Sequence, residues 1–249
     1  MKLYHGTSKK HLFRILQEGI TPRSINGISN WEEAPSHPSM VYLTTAYPFW
    51  FSVKASSEHE KIGVVIEIDT NKLDNSSFLP DEDFISQANS LCKKQDGPGV
   101  VVDVDEIRKN LFGYQPYWEN SLEELGNCCY YGVIPPESIT RYCVVDWNKR
   151  PDLECNYTDH SLNIEHYKFM GEFYRDVVKW FFGEKELLPA SMFELGSEQE
   201  IDKVPEVMQG LYKMMKKKRD NRIKTSKNRN GIKVIIMKGN LECIKNKAV

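Results

Sequence analysis

The sequence predicts an α+β fold, on three observations. Short apolar runs bounded by Gly, Pro, Asn and Asp recur between residues 3 and 145, as strands do. Short stretches with helical spacing are scattered among them. Beyond Pro151 the pattern turns helical, which divides the chain into a domain at 1–148 and, at 149–249, a helical extension with a basic C-terminal segment.

Leu3 to His5 reads as a short strand. Thr7-Ser8 then offers an N-cap to a helix whose Leu12, Ile15 and Leu16 fall at helical spacing before Gly19 stops it. Pro22 to Ser39, rich in Ser, Asn and Pro, reads as a loop. Met40 to Leu43 is a strand, and Tyr47 to Ala55 an aromatic-rich helix starting near Pro48, where proline's fixed φ suits the first turn. Gly63 to Asp69 is an apolar strand ending in a turn at Asp69 to Asn71. Val100 to Val104 reads as a strand after the turn Asp96-Gly97-Pro98-Gly99, and Glu106 to Leu111 as a short helix. Two more strands are expected at Cys128 to Val133 and Ile139 to Val145, joined tightly by Ile134-Pro135-Pro136-Glu137-Ser138. Leu162 to Phe182 and Glu200 to Lys218 carry helical patterns, and Ile232 to Met237 is a candidate late strand.

Composition excludes several classes. With 249 residues and 40% hydrophobic content the chain is neither disordered nor collagen-like. No window approaches the roughly 18 to 20 apolar residues of a membrane helix, and the start turns polar within a few residues, so a cytoplasmic protein is expected. The six cysteines form no C-x-x-C pair and read as reduced, buried thiols, with no metal site. A formal charge of -2 conceals an asymmetry. Residues 213–249 hold thirteen Lys and Arg against two acids, +11, which leaves -13 on residues 1–212. A basic end of this kind is suited to a polyanionic partner.

Three segments carry candidate chemistry. Tyr4-His5-Gly6-Thr7-Ser8 puts a histidine at a strand end before a glycine that admits a ligand to the backbone. Val41-Tyr42-Leu43-Thr44-Thr45-Ala46-Tyr47 sets two tyrosines about a turn. Ser121-Leu122-Glu123-Glu124-Leu125-Gly126-Asn127 is an acidic lead-in to the strand at Cys128. Taken singly, each reads first as an ordinary polar or core feature. Their order resembles the diphtheria-toxin-like and poly(ADP-ribose)-polymerase-like ADP-ribosyltransferases, over residues 3 to 146.

That resemblance implies a split β-sheet core around NAD, with His, Tyr and Glu on separate strands. It assigns the histidine role to His5, the tyrosine role to Tyr42, and the glutamate role to Glu124 with Glu123 beside it. Aligning on the proline turn instead puts Asn127 or Cys128 at the glutamate position. Breaking the nicotinamide–ribose bond creates an oxocarbenium-like centre that a carboxylate stabilises. Tyr42, with Tyr47 or Phe51 as a second wall, would stack on nicotinamide. Gly6 would bind its carboxamide, and His5 with Thr7 or Ser8 the ribose hydroxyls.

The activity so implied is mono-ADP-ribosyl transfer from NAD, without a metal, to a macromolecule. Nucleic acid, RNA or DNA, is favoured over protein because Lys216, Lys217, Lys218, Arg219, Arg222 and Lys224 would bind phosphates. A toxin or effector role, with a neutralising antitoxin as partner, belongs to the same reading. Alternatives are an NAD glycohydrolase with water as acceptor, and an RNA 2′-phosphotransferase-like enzyme. The second is disfavoured because Tyr42 stands where that family has a histidine and Thr44 to Ala55 contains no arginine. A different class is a nucleic-acid-binding protein without catalysis.

Overall fold

The computed structural model describes residues 1–27, 37–57, 60–86, 104–149, 175–184 and 230–237. The first strand, β1 (Lys2–Ser8), leads directly into helix α1 (Lys9–Glu18). The junction is set by Ser8, whose hydroxyl accepts from the Lys10 N–H as an N-cap, and the helix stops at Gly19. After a short turn, α2 (Arg23–Asn26), come β2 (Met40–Thr44) and α3 (Pro48–Ser56), with Pro48 in the first helical turn. Strand β3 (Ile62–Asp69) ends at Asp69, whose carboxylate caps the next turn through the Asn71 N–H.

Strand β4 (Phe78–Pro80) and helical residues 82–86 (α4) follow, neither of which the local sequence pattern predicts. Two further expectations need correction. Val104 opens a helix, α5 (Val104–Lys109), instead of closing a strand, while residues 100–103 lie outside the described residues. Asp105 and Glu106 in its first turn and Arg108 and Lys109 in its last suit the helix dipole. The acidic lead-in is also helical. A 3-10 stretch, Leu111–Tyr117, runs into α6 (Trp118–Glu124), which buries Trp118, Ser121 and Leu122 at spacings of three and four. Strands β5 (Asn127–Tyr131) and β6 (Ile139–Asp146), helical residues 175–181 (α7) and β7 (Ile232–Ile236) complete the described elements.

The strands form one antiparallel sheet in the order β4-β5-β2-β1-β3-β6-β7. The α+β class is therefore as expected. Strand β3 lies inside the sheet and is covered on both faces, which explains its unbroken apolar run. Val64, Ile66 and Ile68 pack under α1 with Ile15 and Leu16, while Val65 faces Phe49 and Val53 of α3. A third cluster puts Phe84, Ile85 and Ile107 over Leu79 and Cys129, covering β4 and β5. Each such buried side chain contributes about 1.5–3 kcal/mol.

Segments beyond residue 148 belong to the same core and sheet. Val177, Val178, Trp180, Phe181 and Phe182 are buried with Tyr4, Phe49 and Val65, and β7 pairs along β6 from Arg141↔Ile236 to Val145↔Ile232. The helical expectation at Leu162 to Phe182 is described only from residue 175, and the one at Glu200 to Lys218 lies outside the described residues. Among the described residues no helix is long and apolar enough to cross a membrane.

Candidate functional site

The sheet comes apart between β1 and β2. β1 ladders to β3 over seven pairs, from Lys2↔Asp69 to Ser8↔Gly63, but meets β2 at the single pair Tyr4↔Thr44. Past that pair the two strands diverge, leaving β1 from His5 onward facing a gap. One side chain bridges the gap: His5 Nδ1 lies 3.0 Å from the Tyr42 carbonyl oxygen.

That bond fixes the state of the imidazole. A carbonyl only accepts, so Nδ1 carries the proton. Burial pushes the His5 pKa down from its ordinary value, partly opposed by the bond to Tyr42, so the ring is neutral at physiological pH and Nε2 presents a lone pair. His5 is thereby a hydrogen-bond acceptor toward a ligand hydroxyl.

The same bond orients the backbone. Polar groups alternate sides along a strand, so the Tyr42 and Thr44 groups point toward β1, and those of Tyr4 and Gly6 point back toward β2. The opposite edge agrees. The Thr70 N–H donates to the Met1 carbonyl at 3.1 Å, and by alternation along both strands this turns Ile66 toward β1 and His5 toward β3. No β2 residue is laddered to Gly6, so its N–H and C=O face the gap as an adjacent donor and acceptor. Only glycine fits there. A Cβ on residue 6 would stand 2.1 Å from the Pro48 carbonyl oxygen and 2.7 Å from the Ser52 nitrogen, both backbone atoms of α3.

Tyr42 is held at both ends. Its hydroxyl donates to Glu82 Oε2 and accepts from the His37 N–H at 3.0 Å. Arg108 Nε donates to the other Glu82 oxygen at 2.8 Å. Glu82 is 6% exposed, and burial followed by the Glu82 charge pushes the Tyr42 hydroxyl pKa well above its ordinary value, so it stays protonated. Glu82 and Arg108 carried no sequence signal. Asp81-Glu82-Asp83 reads as solvated acid, and its proximity to Tyr42 depends on β4 pairing with β5 and β5 with β2.

The other expected residues fare unequally. Phe51 is half-buried against Trp50 and its Cβ lies beside Gly6. Thr7 is nearly buried on the same side of β1 as His5. Ser8 is fully buried and spent on capping α1, and Tyr47 is 1% exposed, its ring packed at Gly126, so neither is open to a ligand.

Glu123 is exposed and Glu124 half-buried, both on α6 instead of leading into the strand. The strand position opposite Thr44 belongs to Asn127, reached through Gly126 at φ +82°. Asn127 is 8% exposed and its Oδ1 has no hydrogen-bond partner among the described residues. Arg175 of α7 ties this corner together, with Nε 3.1 Å from Thr45 Oγ1 and a terminal nitrogen 3.0 Å from the Leu122 carbonyl. Lys216, Lys217, Lys218, Arg219, Arg222 and Lys224 lie outside the described residues.

No family model matches the chain, and no curated protein matches it. One solved structure it is similar to is EcPltA. The likeness has a TM-score of 0.32 and 15% identity, over 58% of this chain and 75% of that one, too slight to assign a family.

Proposed function

We propose that the chain is a mono-ADP-ribosyltransferase that uses NAD and modifies a macromolecule, nucleic acid in preference to protein. The observation that carries this reading is the edge of the gap in the sheet. Among the described residues no β2 residue pairs with the Gly6 N–H and C=O, a donor and an acceptor beside His5, whose Nε2 is an acceptor. A primary carboxamide offers the matching acceptor and donor, and a ribose hydroxyl the matching donor. Phe51 beside Gly6 and Tyr42 across the gap supply aromatic surface for a flat ring.

In the reaction the C1′–N bond of the nicotinamide riboside breaks and its electron pair leaves with neutral nicotinamide. An acceptor oxygen or nitrogen then bonds to C1′, and its proton passes to a carboxylate, for which Glu124 is the sequence-derived candidate. The helical placement of Glu123 and Glu124, with Asn127 at the strand position, favours a second reading in which NAD is bound and transfer is lost.

Incubation with labelled NAD and RNA, DNA or cell protein separates the two. Label on nucleic acid that disappears in Glu124→Gln, with NAD binding retained, is the expected result. NAD bound but left intact establishes the second reading, and NAD neither bound nor consumed refutes both.

A further inference from the structure

Tyr42 is anchored by a part of the chain to which the sequence assigned no chemistry. Its carbonyl accepts a hydrogen bond from His5 Nδ1–H, and its hydroxyl accepts from the His37 N–H and donates to Glu82. Glu82 divides its two oxygens between Tyr42 and Arg108. We infer that Glu82, fixed by Arg108, is a positioning residue for Tyr42, holding the phenol beside the gap in the orientation that receives the nicotinamide ring. The ligand's identity rests on the proposed function; the tether does not.

The physical case is one of entropy and cost. Tyr42 packs at the edge of the third core cluster, and its hydroxyl is fixed in addition by Glu82 and the His37 N–H. Ordering it on ligand binding would cost about 0.5–1.5 kcal/mol, which a pre-formed tether removes. A carboxylate that is 6% exposed is expensive to keep, and the Arg108 pair does not by itself make Glu82 worth retaining over an apolar residue. Holding the phenol gives the buried charge a use. Both Glu82 oxygens are engaged, Oε2 by the Tyr42 hydroxyl and Oε1 by Arg108, so the contact through which Glu82 acts on the site is Tyr42.

The test is a double-mutant cycle of Glu82→Gln and Tyr42→Phe in the full-length protein. It reads NAD affinity by calorimetry, turnover, and the Tyr42 ring carbon by NMR on labelled tyrosine, identified by its loss in Tyr42→Phe. Each single substitution should weaken NAD binding about fivefold to tenfold, the double variant no more than either single, and Glu82→Gln should displace the Tyr42 resonance. Affinity within twofold of the parent in Glu82→Gln, or additive losses, overturns the inference. So does a fall in kcat at unchanged affinity and unchanged Tyr42 resonance, which would make Glu82 catalytic.

Should Glu82→Gln fail to fold, Tyr42→Phe decides, because it removes only the hydroxyl and leaves the Glu82–Arg108 pair. Unchanged affinity there refutes the inference. If the parent binds no NAD yet Glu82→Gln still displaces the Tyr42 resonance, the tether stands and the proposed function falls.

Discussion

Asp81 is 7% exposed and sits against Asp83, Glu82, Cys128 and Cys129. Burial, then the charges of Asp83 and Glu82, pushes its pKa well above the ordinary carboxylate value. A folded-state pKa above the unfolded one gives a contribution to stability that is complete below the unfolded value and is lost as pH rises through the folded one. At neutral pH Asp81 is therefore a liability. Asn at this position keeps the acceptor for the Asp83 N–H, 2.9 Å from Oδ1, and carries no charge. Asp81→Asn should raise stability at pH 7 by about 1–2 kcal/mol, and the gain should shrink to a few tenths of a kcal/mol near pH 4, where the aspartate is protonated in the folded state and about half protonated in the unfolded one. Urea denaturation at the two values checks it, and an equal difference at both would show that burial of charge is not the cause.

At the scale of elements, what could be read from sequence was what local pattern encodes. Ser8 as a cap, Gly19 as a stop, Pro48 in a first turn and the apolar run of β3 were each visible because the determinant lies within a few residues of its effect. Where the determinant is distant, local pattern misleads. The segment at Ser121 reads as a lead-in to β5, but Trp118 and Leu122 are drawn into a helix by the Phe78 ring of β4, stacked on Trp118 at 4.6 Å, and by the core beneath. His5, Gly6 and Tyr42 stand out in the sequence as candidates because motif order survives folding. Glu82 and Arg108 do not, since only the pairing of β4, β5 and β2 brings them to Tyr42.

The same logic gives α7 a measurable role. Phe181 is 1% exposed and stacks on Phe49 of α3 with centroids 3.6 Å apart, while Arg141 stands 4.5 Å over the Phe182 ring and pairs with Glu67 and Glu184. Phe181→Ala should cost about 3–5 kcal/mol in chemical denaturation, the range for emptying a buried aromatic site. A cost below about 1 kcal/mol would mean that α7 is an appendage to the sheet and not part of its core.

For the whole molecule, the charge division must be tested without disturbing the sheet. The basic stretch lies before β7 in sequence, and β7 completes the sheet beside β6, so truncation from Lys213 would remove a strand together with the charge. Replacing Lys216, Lys217, Lys218, Arg219, Arg222 and Lys224 by Gln removes six positive charges and leaves Ile232–Ile236 in place. If these side chains hold a nucleic-acid acceptor, the plot of log affinity against log salt should flatten by roughly 0.7–0.9 for each phosphate no longer neutralised, and affinity should fall more at low salt than at high. NAD binding should be unaffected, since the gap at His5, Gly6 and Tyr42 is built from the other end of the chain. An unchanged slope would make the basic stretch a solvated segment, and the preference for nucleic acid over protein as acceptor would lose its physical basis even with transfer intact. A parallel loss of NAD affinity would point the other way, to a basic stretch that supports the NAD site itself.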